Sequence, residues 1–282
     1  MVKIIAHLGP TGTNSETLAL AYAKILEEKN GEEYQLSPYP TIAQTLYSVA
    51  DKKTDLAVVP VENSIQGTVA ITLDTIWELD QLQIQQSLVF PIIHSLLSQE
   101  KSLQDIEKVY SHPQALGQCQ KWLEQNLPQA RLVATNSTTE AVQIVKNESK
   151  SAAIAAPRAA ELYQIPSLVT EINDYPDNCT RFWVVGLEPS REGDLISLGF
   201  SFAANIPGVL VKPLQIFAQR GINLTRIESR PTKRSLGEYL FFLDLEGDMR
   251  DDLIKTGLQE LSLITKELKI FGNYRVLKIE QP

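Results

Sequence analysis

The chain has 282 residues, 26 of them basic and 34 acidic, with a formal net charge of -8. That length predicts about two domains, and the acidic balance argues against nucleic acid or an anionic membrane surface as the main partner. No stretch approaches the roughly 20 apolar residues of a membrane span, and Cys119 and Cys179 lack the spacing of a zinc site or disulfide framework. An anionic small molecule would need a locally positive site on such a chain.

The amino terminus, Met1-Val2-Lys3-Ile4-Ile5-Ala6-His7, leads into a predicted strand and has no signal-peptide pattern, giving the expectation of a cytoplasmic protein. Short apolar runs at residues 4–8, 56–60, 109–111, 132–134 and 152–156 read as strands between amphipathic stretches, which predicts an α/β unit. Residues 82–98 read as a long strand-like crossover. Ser137 and Glu140 have capping-box spacing ahead of a helix carrying Ala141, Ile144 and Val145.

A second unit is predicted from the link Pro189-Ser190-Arg191-Glu192-Gly193-Asp194 onward. Its first strand alternates, with Ile196, Leu198, Phe200 and Phe202 on one face and Ser197, Gly199 and Ser201 on the other. Pro207 is expected to open a helix on which Leu210, Leu214 and Phe217 share a face. Strands at 224–229 and 239–245, a helix carrying Ile254, Leu258 and Leu261, and a strand at 269–278 complete a ferredoxin-like βαββαβ order.

Four segments concentrate hydrogen-bonding groups at predicted strand ends. Leu8-Gly9-Pro10-Thr11-Gly12-Thr13 precedes a helix, where backbone N–H groups favour an anion, although Thr13 and Glu16 also fit a plain capping box. Ser111-His112-Pro113-Gln114-Ala115-Leu116-Gly117-Gln118-Cys119 has the same ambiguity, with Ser111 and Gln114 at capping spacing. Val59-Pro60-Val61-Glu62-Asn63-Ser64 reads as a strand and its loop. Asp177-Asn178-Cys179-Thr180-Arg181-Phe182 sets an amide, a hydroxyl and a guanidinium against an apolar run, a set able to hold an anion. His7, His94 and His112 have no metal-ligand spacing, and His7 and His94 read as core positions. No Gly-x-Ser-x-Gly marks a serine hydrolase.

In order and spacing, these segments, with Gly67, Pro207-Gly208 and Glu228-Ser229-Arg230-Pro231, resemble prephenate dehydratase followed by its ACT regulatory domain. The resemblance covers nearly the whole chain. It implies a catalytic domain over 1–190, two-lobed and like a type II periplasmic binding protein. Lobe one would take about 1–76 and 161–190, lobe two about 77–160, and the ACT domain 191–282. The implied activity is that of a carbon–oxygen lyase: prephenate loses carbon dioxide and water to give phenylpyruvate for phenylalanine biosynthesis, with no metal or organic cofactor.

By that resemblance Thr180 is the catalytic hydroxyl, and Asn63, Ser111 and Gln118 bind substrate, with Ser64, Thr13, Arg181 and Glu62 as nearby candidates. Asn205, Pro207, Gly208, Val209, Leu210, Glu228 and Ser229 match the effector motif. They imply feedback inhibition by phenylalanine between ACT domains of a homodimer or homotetramer. Asn14 and Val209 depart from the family's usual aromatic residue and alanine. Two alternatives stay open from the residues: arogenate dehydratase, and a non-catalytic amino-acid sensor.

Overall fold

The computed structural model describes residues 2–190 and 192–280; Met1 of the amino-terminal segment, Arg191 of the 189–194 link, Gln281 and Pro282 lie outside the described residues. The first lobe is built from β1 (Lys3–Leu8), α1 (Asn14–Asn30), β2 (Tyr34–Tyr39), α2 (Ile42–Ala50), β3 (Leu56–Asn63), β4 (Gly67–Thr68), α3 (Ala70–Glu78) and β5 (Gln83–Pro91). β1 lies parallel between β2 and β3. Parallel strands are covered on both faces, which is why Ile5-Ala6 and Ala57-Val58-Val59 read as unbroken apolar runs and are fully buried.

The second lobe follows with β6 (Ser95–Ser98), β7 (Lys108–Ser111), α4 (Pro113–Gln118), α5 (Gln120–Asn126), β8 (Arg131–Ala134), α6 (Thr138–Val145), β9 (Ser151–Ala155), α7 (Pro157–Tyr163) and β10 (Ser167–Val169). Its sheet has the order β10-β6-β9-β7-β8. Val109, Leu123 and Ile154 belong to one apolar cluster of this lobe, and Tyr110, Val142 and Ala153 to another. The chain then returns as β11 (Cys179–Gly186), which inserts between β3 and β5, antiparallel to both, and sets Thr180 opposite Asn63.

The passage between lobes differs from the expected boundaries near 77 and 161. β5 pairs with β11 from Gln83 to Pro91 and so belongs to the first sheet, whereas β10 pairs with β6 in the second. Residues 82–98 are accordingly two strands in two sheets. An apolar run records burial and not the identity of its neighbour, so local periodicity could not place this crossing.

Beyond the link come β12 (Leu195–Ser201), α8 (Val211–Ala218), β13 (Leu224–Pro231), β14 (Tyr239–Glu246), α9 (Asp252–Ile264), β15 (Glu267–Tyr274) and β16 (Val276–Lys278). The first four of these strands form an antiparallel sheet, β13-β14-β12-β15. Pro207 does not open α8. Gly208, at φ 78°, takes a left-handed turn, and the helix starts at Val211.

Ile196, Leu198 and Phe200 share a core with Phe217 of α8 and with Ile254, Leu258 and Leu261 of α9. The opposite face is also covered. Leu240, Phe242, Phe271 and Tyr274 share one core with Trp77 and Trp183 of the first lobe, and a Cβ at Gly199 would approach Phe271 to 3.0 Å and Trp77 to 3.1 Å. The expected strand at 269–278 divides after Tyr274. β15 stays in the second unit while β16 pairs in parallel with β5, so the last strand of the expected 191–282 unit lies in the first sheet.

Candidate active site

A cleft of about 860 Å³ opens between the lobes. The first lobe contributes the end of β1, the start of α1, Pro60 and Asn63 of β3, and Thr180 and Phe182 of β11; the second contributes His94, the starts of α4 and α6, and Gln118. Its apolar wall includes Pro38, Ile42, Val69, Ile92 and Phe182. Among the described residues lining it there is no Lys, Arg, Asp or Glu. Two helix starts face it instead. Glu16 N–H donates to Thr13 Oγ1 (3.3 Å) at the start of α1, and Glu140 N–H donates to Ser137 Oγ (3.0 Å) at the start of α6, where the Glu16 and Glu140 carboxylates in turn accept from Gly12 N–H and Asn136 N–H.

At the base of the cleft lies a chain of buried amides. The backbone N–H groups of Ile65 and Gln66 each donate to Asn63 Oδ1 at 3.1 Å. Asn63 Nδ2 donates to Thr180 Oγ1 at 3.0 Å, to Asn178 Oδ1 at 2.9 Å and to the Cys179 carbonyl at 3.1 Å. Asn178 Nδ2 donates to Gln118 Oε1 at 3.1 Å, and His94 Nε2 lies 2.8 Å from the same oxygen. Asn63, Asn178, Gln118, His94 and Thr180 are each at most 8 % exposed. Burial pushes the pKa of His94 below its ordinary value against the opposing effect of Gln118, which keeps the ring neutral.

The sequence pattern described as prephenate dehydratase matches residues 5–190, and the ACT domain matches residues 196–262. This chain belongs to the prephenate dehydratase family. It is a lyase of phenylalanine biosynthesis with that activity. The bifunctional chorismate mutase/prephenate dehydratase of Aquifex aeolicus is 39% identical over 273 residues, 96% of this chain and 73% of that one. The prephenate dehydratase of Lactococcus lactis subsp. cremoris is 35% identical over 283 residues, 98% of each. A crystal structure of prephenate dehydratase from Arthrobacter aurescens in complex with L-Phe superposes with a TM-score of 0.85 at 31% identity, covering 96% of this chain and 90% of that chain.

Within this prephenate dehydratase the expected site residues divide. Thr180, Asn63, Gln118 and Thr13 line the cleft, as does Asn14, whose Oδ1 is buried without a hydrogen-bond partner among the described residues. Ser111 does not. It is fully buried at the end of β7 and donates to the Ile154 carbonyl of β9 at 2.6 Å. His112, extended ahead of Pro113, caps α4 instead by accepting from Gln114 N–H at 3.2 Å, and lines the cleft. Ser64 is exposed at the end of β3, and its Oγ accepts from Cys179 N–H at 3.0 Å.

Arg181 lies away from the cleft because neighbouring strand residues face opposite sides. Its Nη2 donates to Glu62 Oε2 at 2.8 Å and to Asp244 Oδ2 of the ACT sheet at 2.7 Å. Asp244 also accepts from Arg226 Nε at 2.8 Å and from Ser197. Burial drives the Asp244 carboxyl upward, but Arg226 and Arg181 outweigh it and hold it below the usual carboxylate range. The guanidinium expected to meet a substrate anion is thus committed to joining two domains.

In the effector motif, Asn205 Nδ2 donates to the Gly237 carbonyl at 2.9 Å, while Pro207 and Gly208 are exposed and Val209 and Leu210 half-buried. Glu228 Oε2 accepts from Thr68 Oγ1 of β4 at 2.9 Å; Ser229 is exposed on β13. Sequence reasoning missed His94 and the α6 start at 136–138 as cleft residues. The capping box at Ser137 signalled the second of these. His94, in a short break between two apolar strands, gave no local signal.

Proposed function

We propose that prephenate binds in this cleft with its ring hydroxyl against Thr180. As the ring carboxylate departs as carbon dioxide, its bonding pair enters the ring, the C–O bond breaks, and the leaving hydroxide takes a proton through Thr180, restored from solvent. The observation that carries this assignment is the state of the Thr180 hydroxyl. It accepts from Asn63 Nδ2 and donates to no protein group among the described residues, so its proton is uncommitted. A threonine hydroxyl is a weak acid and acts only as negative charge builds on the departing oxygen, so its contribution belongs to the transition state.

Asn63 and Gln118 orient the reacting groups, and Thr13 stands at the α1 start that would face a carboxylate. Ser111, Ser64, Glu62 and Arg181 act as scaffold in this assignment. Prephenate is taken over arogenate in this assignment because the matching family and the Lactococcus lactis relative are described as prephenate dehydratase. The deciding assay follows phenylpyruvate and phenylalanine from each substrate, with Thr180→Ala in parallel. Preferred turnover of arogenate would overturn the substrate assignment, and an unimpaired Thr180→Ala would overturn the role of the hydroxyl.

Phenylalanine is the proposed inhibitor, bound at the Asn205-to-Leu210 turn and Glu228-Ser229 between ACT domains of a homodimer or homotetramer. The L-Phe complex of the Arthrobacter relative supports this. So does the Glu228–Thr68 hydrogen bond, which ties the effector motif to the hairpin that follows Asn63. A cytoplasmic location accords with two free thiols and with the absence, among the described residues, of a helix long and apolar enough to cross a membrane.

A further inference from the structure

The direction of every hydrogen bond in the buried amide chain follows from its one unambiguous end. Backbone N–H groups can only donate, so the atom of Asn63 facing Ile65 and Gln66 is its oxygen, and the atom facing Asn178 and Thr180 is its NH2. The group of Asn178 that receives this proton is its oxygen, and its NH2 therefore faces Gln118. Gln118 must answer with its oxygen. That same oxygen lies 2.8 Å from His94 Nε2, so the imidazole carries its proton on Nε2, and Nδ1 keeps a bare lone pair.

The remaining atoms agree. His94 Nδ1 is buried with no partner among the described residues, a position that cannot accommodate a second N–H without an orphaned donor. The neutral ring favoured by burial leaves no proton there. Gln118 Nε2, by contrast, makes no hydrogen bond to the protein among the described residues, and Gln118 lines the cleft.

We propose that His94 is a positioning residue for the dehydration: its Nε2–H, with Asn178, fixes the Gln118 carboxamide with oxygen inward and NH2 free for the substrate, in register with the amide chain that leaves the Thr180 proton uncommitted. Without His94, one of the two donors on Gln118 Oε1 is lost and the carboxamide can turn over. The amino group would then meet the NH2 of Asn178, and the disturbance would pass through Asn63 to Thr180. This inference rests on the role given to Thr180 above.

The test compares His94→Leu, which removes the donor, with His94→Gln, whose terminal NH2 reaches about as far as Nε2. Thr180→Ala, Gln118→Ala and the His94→Leu/Gln118→Ala double variant are measured alongside, with thermal unfolding to confirm that each is folded. We expect His94→Leu to lower kcat by up to about 10²-fold, the scale of a small misplacement of reacting groups, with a smaller change in KM. His94→Gln should recover most of that loss, and the double variant should be no worse than Gln118→Ala alone. An unimpaired His94→Leu overturns the proposal, as do additive losses in the double variant. A His94→Gln as poor as His94→Leu overturns it too, since the imidazole would then be doing chemistry that an amide cannot. Full turnover by Thr180→Ala would instead reject the underlying site assignment, separately from the role of His94.

Discussion

Thr180 and Arg181 are neighbours on β11, yet one lines the cleft and the other joins the ACT sheet, because strand geometry sends successive side chains to opposite faces. Replacing each should therefore fail in a different way. Thr180→Ala is expected to lower kcat by about 10²- to 10⁴-fold with KM little changed; a loss confined to KM in steady-state kinetics would show that the hydroxyl only binds. Ser111, a motif residue that lies outside the cleft, makes the opposite prediction. Ser111→Ala leaves the buried Ile154 carbonyl without its donor and should cost about 1–3 kcal/mol in stability. Its KM should stay near that of the parent protein, and a large rise in KM with an unchanged urea midpoint would return Ser111 to the substrate.

At the level of elements, β11 is held between β3 and β5 in its own sheet and is tied through Arg181 to β14. Asp244 is the shared acceptor. Removing it leaves Arg226 without its carboxylate in a buried setting and Arg181 with Glu62 alone, and Asp244→Ala is expected to destabilise the protein by about 3–5 kcal/mol. Denaturant unfolding would measure this, and a loss below about 1 kcal/mol would mean that the guanidinium groups find water or other acceptors. Gly199 is a second junction. Any side chain there intrudes on Phe271 and Trp77, so its requirement is imposed by domain packing, since its own backbone lies within an ordinary strand.

For the whole molecule, acid stability follows from groups in both domains. The carboxyls of Asp74 and Asp244 have folded pKa values below the ordinary one, held there against burial by Arg230 and Lys233 for Asp74 and by Arg226 and Arg181 for Asp244. Their contribution is present above the unfolded value of about 3.9 and is lost as pH falls through the lower folded values. His7 and His94 are also depressed, chiefly by burial, so the unfolded chain takes up protons first as pH falls below about 6.5. The urea midpoint should thus decline in two stages on acidification, and a midpoint that stays flat from pH 7 to pH 5 would show that these imidazoles titrate normally. The sequence by itself determined the α/β character of the first unit, the βαββαβ order of the second, the family, and Thr180, Asn63 and Gln118 as cleft residues, because periodicity, caps and ordered motifs are local and survive without coordinates. Only the tertiary structure decided that Arg181 and Ser111 face away, that β16 returns to the first sheet, and that His94 stands at the end of the amide chain. Those facts depend on which strand lies beside which, and Asn63 reaches Thr180 across 117 positions only because β11 inserts next to β3. Local residue patterns do not encode a pairing made at that distance.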